Sequence, residues 1–178
     1  NLLEKVELPI EGLLLISPLL EFKKSQKTRK DKIASNVGRV AKDTRFKLGI
    51  TAEDLTRNPE IIQETNEDKM MLHKVTYSWY KEVVETMRET VQHLTDIKPL
   101  PILLMGGSED KVADTSAMRL VKDKVNTDEL YFKMWHGLYH EIHNEPERDE
   151  VMRYMLAFLN NSANSIGFVV EDENQVSE

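Results

Sequence analysis

Apolar residues along the chain fall into two spacings. Three runs are nearly uninterrupted: residues 12–16 (Gly-Leu-Leu-Leu-Ile), 102–105 (Ile-Leu-Leu-Met) and 130–135 (Leu-Tyr-Phe-Lys-Met-Trp). Short apolar runs bounded by Gly, Pro or Ser predict strands covered on both faces, the habit of parallel sheets. Between and after them the spacing turns helical. Tyr80, Val83, Val84, Met87, Val91 and Leu94 mark one side of a long helix over residues 75–94, with Trp79 extending that face. A second helix is expected over residues 115–125, capped by Asp114. A third is expected after Asn144, with Asn144 as cap, Pro146 in the first turn, and a stripe of Val151, Tyr154, Met155, Phe158 and Leu159. Strands that alternate with helices predict an α/β fold: three parallel strands with flanking helices.

The stretch between the first strand and the long helix has weaker patterning. Residues 22–32 are strongly basic, with Lys23, Lys24, Lys27, Arg29, Lys30 and Lys32 against Asp31. Residues 32–47 read as a helix of low amphipathicity carrying Ile33, Val37, Val40 and Phe46. Thr51 with Asp54 three positions on predicts a short capped helix, and Asn58-Pro59-Glu60 predicts the start of another. Met70, Met71 and Leu72 then form a small apolar cluster, expected to pack between this region and the core. Residues 1–7 read as the end of a helix, and residues 165–178 as a polar, acidic tail.

Composition narrows the class. The chain has 178 residues, enough for one ordinary domain, with a net charge of −7 and a pI of about 5.4. That balance argues against a general nucleic-acid binder, which carries a basic footprint. There is no cysteine, hence no disulfide framework and no thiolate metal site. No apolar run approaches the roughly 18 residues that a membrane-spanning helix needs. The expected location is cytoplasmic, with membrane association at most through a surface contact.

Candidate chemistry sits after the second and third strands. Gly106-Gly107-Ser108-Glu109-Asp110 and Gly137-Leu138-Tyr139-His140 are glycine turns that each carry an ionisable residue at a strand end. Sites in open parallel sheets form beyond the carboxyl ends of the strands. Asp110 and His140, 140 − 110 = 30 residues apart, can therefore project at one edge. A carboxylate that orients an imidazole is two thirds of a Ser-His-Asp hydrolytic site. Glu109 and Asp114 are alternative acids. A metal site from His136, His140 and His143 with Glu141 or Glu145 is a weaker reading. Its His-Glu-x-x-His spacing is one residue short, and Gly137 interrupts any helix joining His136 to His140. Gly106-Gly107 lacks the Lys-Ser/Thr of a phosphate-binding loop.

The two turns carry a family resemblance. Gly-Gly-Ser-Glu-Asp-Lys-Val-Ala-Asp resembles the acid turn of the monoacylglycerol lipase and lysophospholipase branch of the α/β hydrolases. Gly-Leu-Tyr-His-Glu-Ile-His-Asn-Glu-Pro-Glu-Arg resembles its histidine turn. The resemblance runs from about Gly12 to Leu159 and is weakest over residues 23–55. It implies the C-terminal portion of an α/β-hydrolase fold: hydrolase core over residues 1–22, a helical cap over 23–73, core with both turns over 74–164, and a tail over 165–178. It implies Asp110 and His140 as catalytic acid and base, hydrolysis of a lipid ester such as a monoacylglycerol or lysophospholipid, and no cofactor or metal. The family's Gly-x-Ser-x-Gly nucleophile elbow is absent from the sequence, and neither Ser17 nor Ser108 has its context. The expected partner is therefore an N-terminal segment of the same hydrolase that carries the nucleophilic serine. Small lipid esters are the expected ligands, with transient membrane-surface contact through the cap. The rival reading is a non-catalytic, hydrolase-like binding or assembly module.

Overall fold

The computed structural model describes residues 10–23 and 42–160. The expectations for residues 1–7, for most of the basic run, for residues 32–41 of the expected weak helix and for residues 165–178 lie outside the described residues. The three apolar runs form strands β1 (Leu13–Ile16), β4 (Ile102–Gly107) and β5 (Leu130–Trp135), joined in one parallel sheet of order β1-β4-β5. Leu13 pairs with Ile102 and Ile16 with Met105, while Ile102 pairs with Leu130 and Gly107 with Trp135.

Strand alternation sorts the core into two layers. Leu103 and Met105 face Trp135, Leu138, Val151 and Phe158, under helix α5 (Arg148–Leu159). Ile102 and Leu104 face Leu94, Ile97, Met118 and Val121, under helix α4 (Thr115–Lys124) and the turn that follows helix α3 (Tyr77–Gln92). Central β4 is buried along its whole length, whereas β1 is only half-buried. Full burial of each leucine in β4 contributes about 1.5–3 kcal/mol, so this strand is the rigid axis from which the first site loop leaves.

Between β1 and α3 a second, two-stranded sheet forms. Strand β2 (Arg45–Lys47) pairs antiparallel with strand β3 (Lys74–Thr76), and helices α1 (Ala52–Leu55) and α2 (Pro59–Glu67) lie between them. The hairpin overturns two expectations. Residues 45–47 are strand rather than the end of a helix, and Val75 belongs to β3, so α3 begins two residues later, at Tyr77. The reason is tertiary: Phe46 stacks on Tyr77 with ring centroids 4.6 Å apart, and this contact lies beyond local periodicity. Asn58 caps α2 as expected, accepting from Glu60 N at 3.1 Å, and Asp114 caps α4, accepting from Ser116 N at 3.0 Å.

Four smaller expectations also fail. Trp79 is 46% exposed, because the α3 stripe centres on Tyr80 and the next residue round lies about 100° away. Leu159 is exposed at the end of α5. Met70 and Leu72 are 83% and 80% exposed rather than packed on the core. Asn144 ends a 3-10 turn (Ile142–Asn144), and α5 starts at Arg148 after Glu147. Asn144 serves the loop instead: its carbonyl accepts from Thr56 Oγ1 at 3.0 Å and its side chain donates to Glu141 at 2.8 Å.

Candidate active site

The loop after β4 delivers Asp110 and the loop after β5 delivers His140, side by side beyond the carboxyl ends of the two strands. Ladder pairing continues into the loops. Ser108 N donates to Trp135 O at 2.9 Å, Glu109 N to Leu138 O at 3.0 Å, and Gly137 N to Ser108 Oγ at 2.9 Å. Gly137 has a φ of +76°, the left-handed conformation that lets the chain reverse after β5. Gly107 is required for a different reason. A Cβ there would stand 2.2 Å from Leu138 O and 2.3 Å from Tyr139 O, so only glycine lets the loops approach this closely.

Asp110 is fully buried and its carboxylate is fully engaged. Oδ1 accepts from Val112 N at 2.8 Å and from Ala113 N at 2.9 Å, an arrangement closed within three residues. Oδ2 lies 2.8 Å from His140 Nδ1. An ionised carboxylate only accepts, so Nδ1 carries the proton and the neutral ring presents Nε2 as its free lone pair. The His140 side chain is 19% exposed, and among the described residues no hydroxyl hydrogen-bonds Nε2. The acid turn is braced from outside by residues 21–23: Asp114 N donates to Glu21 O at 2.8 Å, Lys23 N to Val112 O at 2.9 Å, and the Lys23 ammonium to Asp110 O.

The alternatives considered for this chemistry lie elsewhere. Asp114 is occupied with Ser116 at the start of α4, and Glu109 is exposed. His136 is exposed, while His143 is half-buried, its Nδ1 without a hydrogen-bond partner among the described residues. Among the described residues no three His, Asp or Glu side chains converge as metal ligands. Ser17, directly after β1, has a φ of +42° and is 5% exposed. Its backbone N–H donates to Met105 O at 2.7 Å, and its hydroxyl has no partner among the described residues and does not reach His140.

Sequence reasoning missed a second buried carboxylate. Glu145 is fully buried; its Oε1 accepts from Tyr139 N at 2.7 Å, and its Oε2 from Arg57 N at 3.2 Å and Arg57 Nε at 3.0 Å. Arg57 also donates to Glu147 at 2.6 Å. Burial works against the Arg57 charge, but the hydrogen bond to Glu147 and the charges of both carboxylates outweigh it and raise the guanidinium above its ordinary pKa. Nothing local marked Glu145 as buried, because its cation stands 88 positions away.

Comparison with known proteins gives a consistent set. The family model described as serine aminopeptidase, S33, matches residues 1–147. Phospholipase YtpA of Bacillus subtilis is 28% identical over 149 residues, 84% of this chain and 58% of that protein. Monoglyceride lipase of Rattus norvegicus is 30% identical over 140 residues, 75% of this chain and 44% of that protein. Among solved structures, the monoacylglycerol lipase of Paleococcus ferrophilus matches with a TM-score of 0.78 at 22% identity, covering 85% of this chain and 59% of that one. The chain thus spans 44–59% of the length of these relatives.

Proposed function

This chain belongs to the serine aminopeptidase S33 family, within the α/β hydrolases, and on that premise we propose that it contributes the acid and base of a serine hydrolase acting on lipid esters. The observation that carries the reading is the Asp110–His140 pair, with Nδ1 bonded at 2.8 Å and Nε2 left free. Asp110 holds the tautomer and stabilises the imidazolium; His140 is general base, then general acid. A serine Oγ attacks the ester carbonyl while its proton passes to Nε2. The tetrahedral intermediate collapses to an acyl-enzyme, and the same proton leaves with the alcohol. Water, deprotonated by His140, then releases the fatty acid.

The serine belongs to a segment beyond this chain, and so do the backbone N–H groups of the oxyanion hole. Two observations support that division: no described hydroxyl meets Nε2, and β1 has no strand on its far side among the described residues. An open strand edge is a pairing surface, and the serine-bearing segment is the partner proposed for it. Monoacylglycerols or lysophospholipids are the proposed substrates; the resemblance of the two turns suggests them, and a phospholipase and a monoglyceride lipase among the relatives support the lipid-ester class. Met70 and Leu72, exposed between Lys69 and Lys74, suit brief contact with a lipid surface.

The experiment is fluorophosphonate labelling of a polypeptide that joins this chain to its serine-bearing segment. Labelling at one serine, lost in His140→Ala, is the expected result. Labelling of Ser17, or full ester hydrolysis by residues 1–178 alone, would overturn the division of the site between two segments.

A further inference from the structure

The amides on either side of His140 are both held, one by a carboxylate further along the same loop and one by a residue outside it. Tyr139 N donates to the buried carboxylate of Glu145 at 2.7 Å, and Glu141 N donates to Leu55 O, the last residue of α1, at 2.8 Å. Thr56 Oγ1 bonds Asn144 O at 3.0 Å, further along the same loop. Lys111, next to the catalytic acid, donates to Glu53 O at 3.3 Å and lies 3.8 Å from the centre of the Tyr139 ring. Residues 53–57 therefore touch both site loops, and Arg57 closes the arrangement on Glu145.

We propose that Glu145 and Arg57 are positioning residues for His140, and that through them the seating of α1 governs the alignment of the catalytic base. A buried ion pair is poor evidence of stabilisation in itself, since well-packed apolar residues often serve as well. What an apolar residue cannot do is accept the Tyr139 N–H. Glu145 does so with one oxygen while Arg57 compensates the other, so the loop height at Tyr139 depends on the guanidinium that follows α1. Among the described residues the His140 side chain has a single hydrogen-bond partner, Asp110, and its ring follows the backbone that carries it. Displacing a catalytic group by about 1 Å costs on the order of 100-fold in rate.

This inference rests on the reading of His140 as the base, and the test separates the two. Kinetics use the joined polypeptide with a short-chain p-nitrophenyl ester; proton NMR on the same protein follows the low-field signal of His140 Nδ1–H on Asp110. Glu145→Gln and Arg57→Met are expected to lower kcat by about 10- to 100-fold with KM within about twofold, and to shift or broaden that signal. Arg57→Lys, which keeps the charge but not the fork, should fall between wild type and Arg57→Met. If Glu145→Gln does not fold, the partly exposed Arg57 decides through its two variants. Folded variants with wild-type kcat, a change in KM alone, or a loss of kcat with an unmoved signal would each overturn the proposal. A joined wild type that hydrolyses no ester overturns the functional reading instead, and the position of the signal in the variants then decides the positioning role.

Discussion

Asp110 and His140 approach to 2.8 Å, yet the loops that carry them are held in different ways. The acid turn closes on itself, both bonds to Asp110 Oδ1 coming from amides two and three residues on, and is braced by residues 21–23, shortly after β1. The histidine loop is held from a distance, by Leu55, Thr56 and Arg57, with a carboxylate spanning the gap. A turn closed in this way needs only the sheet strands and the residues that follow β1. A loop held by remote contacts acquires its shape only after the chain between β2 and β3 has docked. One half of the pair is therefore built into the sheet, and the other depends on an insertion.

The comparison breaks first at the chemistry both loops share. Asp110→Asn in the joined polypeptide should lower the rate of ester hydrolysis by about 10⁴-fold with the fold retained, because the amide favours the wrong tautomer. Steady-state kinetics with circular dichroism checks this, and Asp114→Asn as the damaging substitution would put the acid elsewhere. Gly107→Ala should come next. It drives a Cβ to 2.2 Å from a backbone carbonyl and separates the loops, costing about 4 kcal/mol or more in urea unfolding.

A sharper test spares the acid turn. Thr56→Val removes the bond to Asn144 O and should cost about 1–2 kcal/mol. In hydrogen exchange the Tyr139 and Glu141 amides should lose protection, while those of Val112 and Ala113 stay unchanged. Equal acceleration at all four amides would mean that the two loops are one unit. Smallest of all, His143→Ala should leave ester hydrolysis within about twofold of wild type, since His143 has no hydrogen bond to the side chain of Asp110 or His140. A loss equal to that of His140→Ala would tie it into the site.

The same contrast explains what was legible in the sequence. The three sheet strands announced themselves as apolar runs, and Asp110 could be read from a glycine turn after a strand, because the two amides that hold its Oδ1 lie within three residues. The caps at Asn58 and Asp114 were equally local. Strands β2 and β3 were not legible: each has three residues, Arg45, Lys47 and Lys74 point outward, and the partners are far apart in sequence. Glu145 was visible only as one carboxylate among several in a polar loop. Its burial is set by Arg57, and single-sequence periodicity carries no record of that pairing.

The β2–β3 hairpin has a consequence for anyone who wishes to change what this scaffold accepts. Phe46 pairs directly with Val75 and Lys47 with Lys74, so the chain enters and leaves the insertion at adjacent points, roughly 5 Å apart. Whatever hangs from such a closed neck can be lengthened at small cost, about 0.6 kcal/mol for each doubling of loop length. The graft should not begin at the neck, however. Residues 53–57 are wired to the two site loops, whereas α2 has no buried residue, and neither Met70 nor Leu72 is covered. The exchangeable part therefore runs from Asn58 to His73, and a library of replacement segments cut there would leave the imidazole where it is.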